Sequence, residues 1–333
     1  MDEASTKISK TTSVFPSAGR YDAGGPAASI AVKTWTPDGV TPDNPPRSIL
    51  QINHGMCEYV DRYDAFARAA AGRGLLVVGM DFIGHGDSVT DASQLGFTGP
   101  ALPGGGNVFV DDMHTLRQRT QAAWPGVPYV MLGHSMGSFV LRAYLAQHGD
   151  GLAGAVISGT ALMAAPMVGV AKALLGVLGV FHKPEYRSPF FEGMSVGPYN
   201  KPFTPKGGVA RTPFEWLSRD TAQVDKYAAD PRCGFVFSLA ADRLMIDVLA
   251  RANAASAYQS TPKSLPLLLV SGTADPVGGM SKGVTTVAEA YRRAGVGDVT
   301  LKLYEDGRHE MLNELNRDEA TEDILNWVDG QIV

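Results

Sequence analysis

A serine can attack an acyl carbon when it sits exposed on a sharp turn with a base in reach. Gly133-His134-Ser135-Met136-Gly137 offers such a serine. The apolar run Tyr129-Val130-Met131-Leu132 feeds this Gly-x-Ser-x-Gly pattern, and a helix-like segment, 138–147, follows it. The five-letter pattern alone is weak, because glycine and serine are common. Between a strand and a helix it reads as a nucleophile elbow, with the serine hydroxyl raised above a sheet. Gly133 and Gly137 fit this because a Cβ at either position would clash where strand and helix cross.

The hydroxyl is inert at neutral pH until a neighbouring base takes its proton. Candidate partners lie downstream, in the chain order serine, acid, histidine. Leu265 to Val270 is an apolar run that breaks at Gly272, with Asp275 just beyond. Val299 to Tyr304 alternates like a strand and leads through Glu305-Asp306-Gly307-Arg308 to His309. Glu305 and Asp306 precede the histidine in its own loop, the wrong place for an orienter. Ser135, Asp275 and His309 thus each follow a predicted strand, and ligands of open α/β sheets bind outside the carboxyl ends of strands. In these roles Ser135 is the nucleophile, His309 the general base and acid, and Asp275 the group that fixes the His309 tautomer. The negative oxygen of a tetrahedral intermediate needs backbone donors already in place. One is expected from Met136. The other is expected from Met56, in the loop His54-Gly55-Met56-Cys57-Glu58 that follows the strand-like run 48–53. Gly55 lets the backbone pass close to substrate. His54 lies on the wrong side of the chain order and reads as structural.

These motifs, together with Arg62-Tyr63, Asp81-Phe82-Ile83-Gly84-His85-Gly86-Asp87-Ser88, Gly272-Thr273-Ala274-Asp275 and Gly307-Arg308-His309-Glu310, resemble the monoacylglycerol lipase and lysophospholipase branch of the α/β-hydrolases, the serine aminopeptidase S33-like group. The resemblance covers roughly residues 28 to 333. It implies a mostly parallel central sheet flanked by helices, with an inserted, largely helical cap. It also implies that Ser135, Asp275 and His309 form a triad and that the amides of Met56 and Met136 form the oxyanion hole. Two departures stand out. Ser138 occupies a position where many members carry glycine. Cys57 sits in the oxyanion loop, where many carry a small residue, and is expected to make the site sensitive to thiol reagents.

The elements that must position these residues follow the chain. Strands are expected at 29–35, 48–53, 75–82, 129–132 and 154–158, with helices at 63–72 and 108–123. The alternation stops near 160 and resumes near 265. The expected organisation is therefore a flexible or loosely docked extension over 1–27, a hydrolase core over 28–160 and 255–333, and a cap over 161–254. Within the cap, Met163 to Phe181 carries one charge, Lys172. A surface helix should show a polar stripe, and this one nearly lacks it. The first expectation is a helix buried over the pocket. A face that meets lipid and an oligomer contact are the alternatives. Gly169, Gly176 and Gly179 suit a mobile lid. Gly55, Met163, Leu174 and Leu178 are the expected substrate-binding positions. Pro184 to Pro213 reads as a loop, and 235–254 as the helix that returns the chain to the core.

The 333 residues suffice for one large α/β domain with an insertion. Twenty-nine basic against 34 acidic residues leave a net charge of −5, which gives no electrostatic reason to bind nucleic acid. Two cysteines suggest no disulfide scaffold, and no ligand spacing suggests a metal. No organic cofactor is expected. The N-terminal residues show no signal-peptide pattern, and the cytoplasm is the expected location. The expected function is a serine esterase acting on small-molecule acyl esters, monoacylglycerols or lysophospholipids first. Transient contact with a lipid surface through the cap is a further expectation, and the oligomeric state stays open. An apolar cap suits an acyl chain, each buried methylene contributing roughly 0.8 kcal/mol. The enzymatic alternatives are a small-ester carboxylesterase and an aminopeptidase-type hydrolase, for which Asp220, Asp225 and Asp230 are available to hold an amine. Epoxide hydrolases and haloalkane dehalogenases carry aspartate at the elbow, so Ser135 argues against both.

Overall fold

The computed structural model describes residues 7–102 and 106–332. Its sheet has eight strands: β1 (Ile8–Pro16), β2 (Ser29–Pro37), β3 (Ser48–Asn53), β4 (Leu75–Met80), β5 (Tyr129–His134), β6 (Gly154–Ser158), β7 (Leu267–Gly272) and β8 (Val299–Tyr304), in the spatial order β1-β2-β4-β3-β5-β6-β7-β8. β3 to β8 run parallel, and β1 and β2 pair antiparallel at one edge. Every residue of β3, β4, β5, β6 and β7 is buried, as a parallel sheet covered on both faces requires. This is an α/β-hydrolase fold.

Helices α1 (Asp64–Gly72), α2 (Val108–Ala123), α3 (Met136–His148), α9 (Lys282–Arg293) and α10 (Arg317–Gln331) flank the sheet. Buried residues of α2, α3 and α9 join one apolar cluster with Met131 and Ile157. Those of α1 and α10 join a second with Val130, Val156 and Val270. Neighbouring residues of β5 and β6 thus enter different clusters, as the two-residue period of a strand demands.

Between β6 and β7 lie α4 (Ala165–Phe181), α5 (Pro189–Ser195), α6 (Thr221–Ala229), α7 (Leu239–Asn253) and α8 (Ala255–Ser260). α4 packs on α7, and α7 packs on α3, so the insertion rests on the helix that follows the elbow. Among the described residues no helix is long and apolar enough to cross a membrane.

Three sequence expectations need correction. Residues 8–16 are not a loose extension. They form β1, paired in register from Ile8 with Pro37 to Pro16 with Ser29. Only Phe15 in that strand is buried, so an edge strand with two wet faces shows no apolar alternation; Lys10 pins it to Asp61 and Asp64. The stretch read as a loop from Pro184 contains α5, capped by the Ser188 hydroxyl, which accepts from the Phe191 N–H. The returning helix starts at Leu239 rather than 235, because Ser238 caps it.

Candidate active site

Ser135 stands between β5 and α3 with φ 50° and ψ −118°, a left-handed backbone that a serine adopts only under constraint. The constraint is visible. The Ser135 N–H donates to the Ser158 carbonyl at 2.9 Å, and the Ser138 hydroxyl donates to the Ser135 carbonyl at 2.6 Å. A Cβ on Gly133 would come within 2.4 Å of the Gly137 carbonyl oxygen, and one on Gly137 within 2.1 Å of the Asn53 carbonyl oxygen. The two glycines are therefore fixed by close backbone approach, as the elbow reading expects. Ser138, which stands where many members of the resembled branch carry glycine, is a tether of the turn.

Asp275 follows β7 and His309 follows β8. His309 Nδ1 lies 3.1 Å from each Asp275 carboxylate oxygen, and both residues are buried. Asp275 also accepts from the Val277 N–H at 2.9 Å and the Ser271 hydroxyl at 3.2 Å. Burial works against the charged form of each. Their mutual attraction outweighs it, holding Asp275 below the usual carboxylate range and His309 above the usual histidine value. The remaining ring nitrogen, Nε2, is buried and has no hydrogen-bond partner among the described residues.

Ser135 and His309 line one cavity of about 440 Å³, whose wall also holds Gly55, Met56, Met136 and Met163. A Cβ on Gly55 would sit 3.3 Å from the Ser135 Cβ, so the loop after β3 passes directly beside the serine. β3 and β5 are neighbours, Asn53 lying opposite Gly133, and the cavity opens at the carboxyl ends of that pair. A larger groove of about 880 Å³, lined by Arg62, Lys226, Arg232 and Arg317 among others, contains neither Ser135 nor His309 and is separate from this site.

The loop after β3 is braced by charges that its sequence alone did not assign. Glu58 accepts from the Gly55 N–H at 2.5 Å and the Tyr63 hydroxyl at 2.8 Å, and it pairs with Arg62. Arg62 in turn holds Glu310, the residue after His309. The motifs Glu58, Arg62-Tyr63 and His309-Glu310 were visible; their contact across the fold was not. His54 is structural, as expected: the Phe82 N–H donates to its Nε2 at 3.0 Å, its Nδ1 meets the Gly55 carbonyl at 2.7 Å, and burial lowers its pKa.

The family model described as serine aminopeptidase, S33, matches residues 44–316. The chain belongs to this family. Over 297 residues it is 28% identical to a Mycolicibacterium smegmatis protein named monoacylglycerol lipase, spanning 86% of this chain and 90% of that one. The human protein named monoglyceride lipase is 26% identical over 283 residues, 84% of this chain and 80% of the relative. Among solved structures, a thermostable carboxyl esterase from Bacillus coagulans, determined in complex with glycerol, matches with a TM-score of 0.86 and 28% identity over 97% of this chain and 99% of that one.

Within this S33-family chain the substrate-pocket expectations divide. Gly55 and Met163 line the cavity; Leu174 and Leu178 do not. Those two are partly buried against the larger apolar cluster, on the face of α4 that also buries Val168 and Leu175. The N-terminal turn of α4 reaches the cavity through Met167, while Met245, Ile246 and Leu249 of α7 supply apolar wall that the sequence reading did not select. Nor is α4 buried as a whole: Met167, Val170, Val177, Val180 and Phe181 are exposed. Cys57 is also corrected. The residue is 6% exposed, its thiol meets the Phe235 carbonyl, and burial pushes its pKa up, which disfavours the thiolate that reagents need.

Proposed function

We propose that this protein is a serine hydrolase that cleaves carboxylic acyl esters through an acyl-enzyme, with monoacylglycerols or lysophospholipids as its substrate class. One observation carries the reading. A histidine held by a buried aspartate lines the same largely apolar cavity as a serine on a strained elbow. The names of the S33 relatives support the same substrate class.

In this reading Ser135 Oγ attacks the ester carbon while His309 Nε2 takes its proton. The amides of Met56 and Met136 receive the negative oxygen of the tetrahedral intermediate. Collapse breaks the ester bond, and His309 returns the proton to the departing alcohol. A water molecule then attacks the acyl-Ser135 ester while His309 takes its proton; collapse breaks the acyl–Oγ bond, His309 gives the proton to Ser135 Oγ, and the carboxylic acid leaves. Asp275 keeps Nε2 as the free nitrogen and stabilises the imidazolium.

An aminopeptidase would need an acid to hold a free amine, and the three aspartates that the sequence offered for this are engaged elsewhere. Asp220 caps α6 and pairs with Arg317, Asp225 pairs with Arg211, and Asp230 binds Tyr59 and Arg232. None of them lines the cavity. The exposed apolar side of α4 supports transient contact with a lipid surface, where such substrates reside.

The test is turnover of p-nitrophenyl esters from C2 to C16, monoacylglycerol, lysophosphatidylcholine and an aminoacyl amide, run beside Ser135→Ala. A Ser135-dependent optimum at C8 or longer with glycerol-ester turnover is expected. Confinement to C2–C4 esters or to the amide would keep the nucleophile and remove the lipid reading.

A further inference from the structure

Three acids line the cavity: Glu58 and Glu310 are held by Arg62, and nothing in the catalytic cycle uses the third, Asp242. Asp242 stands in the first turn of α7, on the face that continues through Met245, Ile246 and Leu249 along the cavity wall. It also lines a side chamber of about 60 Å³ that includes Met56, Cys57, Glu192 and Tyr227. The residue therefore borders both the apolar cavity and a recess large enough for a small polar group.

Its place near a helix start suggests a cap, but the amides there are already taken. The Leu239 N–H donates to Tyr186 O, Ala240 to Pro184 O, Ala241 to the Ser238 hydroxyl and Asp242 to Ser238 O. The Asp242 side chain makes no hydrogen bond and no ion pair among the described residues. Burial, with the Glu192 carboxylate beside it, pushes its pKa up to about 7. Asp242 is half-buried in this wall, and a ligand hydroxyl can supply the hydrogen bond that its carboxyl otherwise finds only in solvent.

We propose that Asp242 is a specificity-determining residue that receives a hydroxyl group of the substrate where the cavity meets the side chamber. A carboxylate or phosphate would be repelled by Asp242 and Glu192 whenever either is ionised. An ammonium would have to shed its water in an apolar wall for a carboxyl that carries only part of its charge at neutral pH. A hydroxyl is neutral and serves both forms, accepting from the protonated carboxyl and donating to the ionised one. It can belong to the alcohol part of the ester or to a hydroxylated acyl chain. The inference rests on the ester-hydrolase reading of the same cavity.

The experiment has catalytic arms and a binding arm. The first arm compares p-nitrophenyl decanoate with p-nitrophenyl 10-hydroxydecanoate, and the second compares methyl decanoate with 1-decanoylglycerol. Wild type, Asp242→Leu and Asp242→Asn are used in each. Asp242→Leu is expected to raise KM about three- to tenfold for whichever hydroxylated ester reaches Asp242, with its plain counterpart unchanged. Asp242→Asn keeps a hydrogen-bonding side chain and should restore most of the preference. Loss confined to the first pair assigns the hydroxyl to the acyl chain; loss confined to the second assigns it to the alcohol. Equal effects on plain and hydroxylated esters, or no effect on either, overturn the proposal. The binding arm measures 1,10-decanediol against 1-decanol by calorimetry on Ser135→Ala, with and without Asp242→Leu. A diol preference that Asp242→Leu abolishes supports the site even if no ester is turned over, in which case the ester-hydrolase reading alone has failed. Absence of a diol preference overturns the proposal whatever the esters show.

Discussion

Arg62 grips Glu310 through two parallel hydrogen bonds of 2.7 and 2.6 Å, across 248 residues of sequence. The same guanidinium pairs with Glu58, whose other oxygen holds the Gly55 N–H. One buried cation therefore joins the loop of Gly55 and Met56 to the loop of His309. Burial opposes the Glu58 charge, and Arg62 beside it more than offsets this, lowering Glu58 to about 2. Its contribution to stability is present above its ordinary value of 4.5 and is lost as pH falls toward about 2. Arg62→Ala strands two buried carboxylates and is expected to cost about 3–5 kcal/mol in urea unfolding. Arg62→Lys keeps the charge without the fork and should fall between that variant and wild type. A loss below 1 kcal/mol for Arg62→Ala would mean that the two loops are held by other contacts.

The pH dependence of turnover follows from His309. A general base must be neutral, and Asp275 holds His309 above its ordinary value of 6.5 despite the opposing effect of burial. Activity should therefore fall on the acid side with a midpoint above 6.5. Asp275→Asn removes the carboxylate and disfavours the useful tautomer, so kcat should drop by roughly 10⁴. The residual activity should show an acid midpoint shifted downward. A midpoint that does not move between the two proteins would assign the titration to another group.

The chemistry was legible in the sequence where one residue and its local context suffice. Ser135 and Asp275 each follow an apolar run and His309 follows an alternating one, so order along the chain implied proximity at one sheet edge. What stayed hidden depends on facing. α4 is apolar nearly all round, so its periodicity could not say that Leu174 and Leu178 turn toward the core while Met167 meets the cavity. β1 carries one buried side chain and is held by backbone pairing, which composition does not record. Asp242 looks like any acid in a helical first turn until the amides around it are seen to be occupied.

Ser138 should matter to rate more than to folding. Its hydroxyl donates to the carbonyl of the strained Ser135, yet the Ser138 and Phe139 N–H groups reach the same oxygen at 2.8 and 3.2 Å. Ser138→Ala is expected to cost about 1 kcal/mol of stability. It should lower kcat several-fold with KM unchanged, because the elbow loosens while the cavity wall stays. Steady-state kinetics on a soluble ester separates the two; a rise in KM alone would place the effect in the cavity rather than the turn.

Arg142 of α3 is fully buried and ties both ends of the insertion. It donates to the Thr160 hydroxyl at 3.1 Å and Ala161 O at 2.7 Å where the chain leaves the sheet. Where the chain returns, it donates to Ala252 O at 2.9 Å and the Tyr258 hydroxyl at 2.6 Å. A lysine cannot span both sets. Arg142→Lys should leave buried oxygens unpaired, costing about 1–3 kcal/mol, and should speed hydrogen exchange in α4 and α7 before the sheet is affected. Uniform acceleration across all elements would show that the guanidinium stabilises the whole fold rather than the insertion.

The outer side of α4 carries the lipid-surface prediction. Val170, Val177 and Phe181 recur at helical spacing and are 66%, 57% and 77% exposed. No core contact accounts for so much exposed apolar surface, and burying one such side chain in a lipid interface contributes up to about 1.5–3 kcal/mol. Replacing Val170, Val177 and Phe181 together by serine should leave the folded state intact, since little buried area is lost. Turnover of soluble p-nitrophenyl butyrate should be unchanged. Sedimentation with phosphatidylcholine vesicles, and turnover of monoacylglycerol presented in them, should each fall at least tenfold. If vesicle binding persists while soluble turnover is intact, α4 is not the surface that meets lipid. If both activities fall together, the stripe supports the cavity rather than an interface.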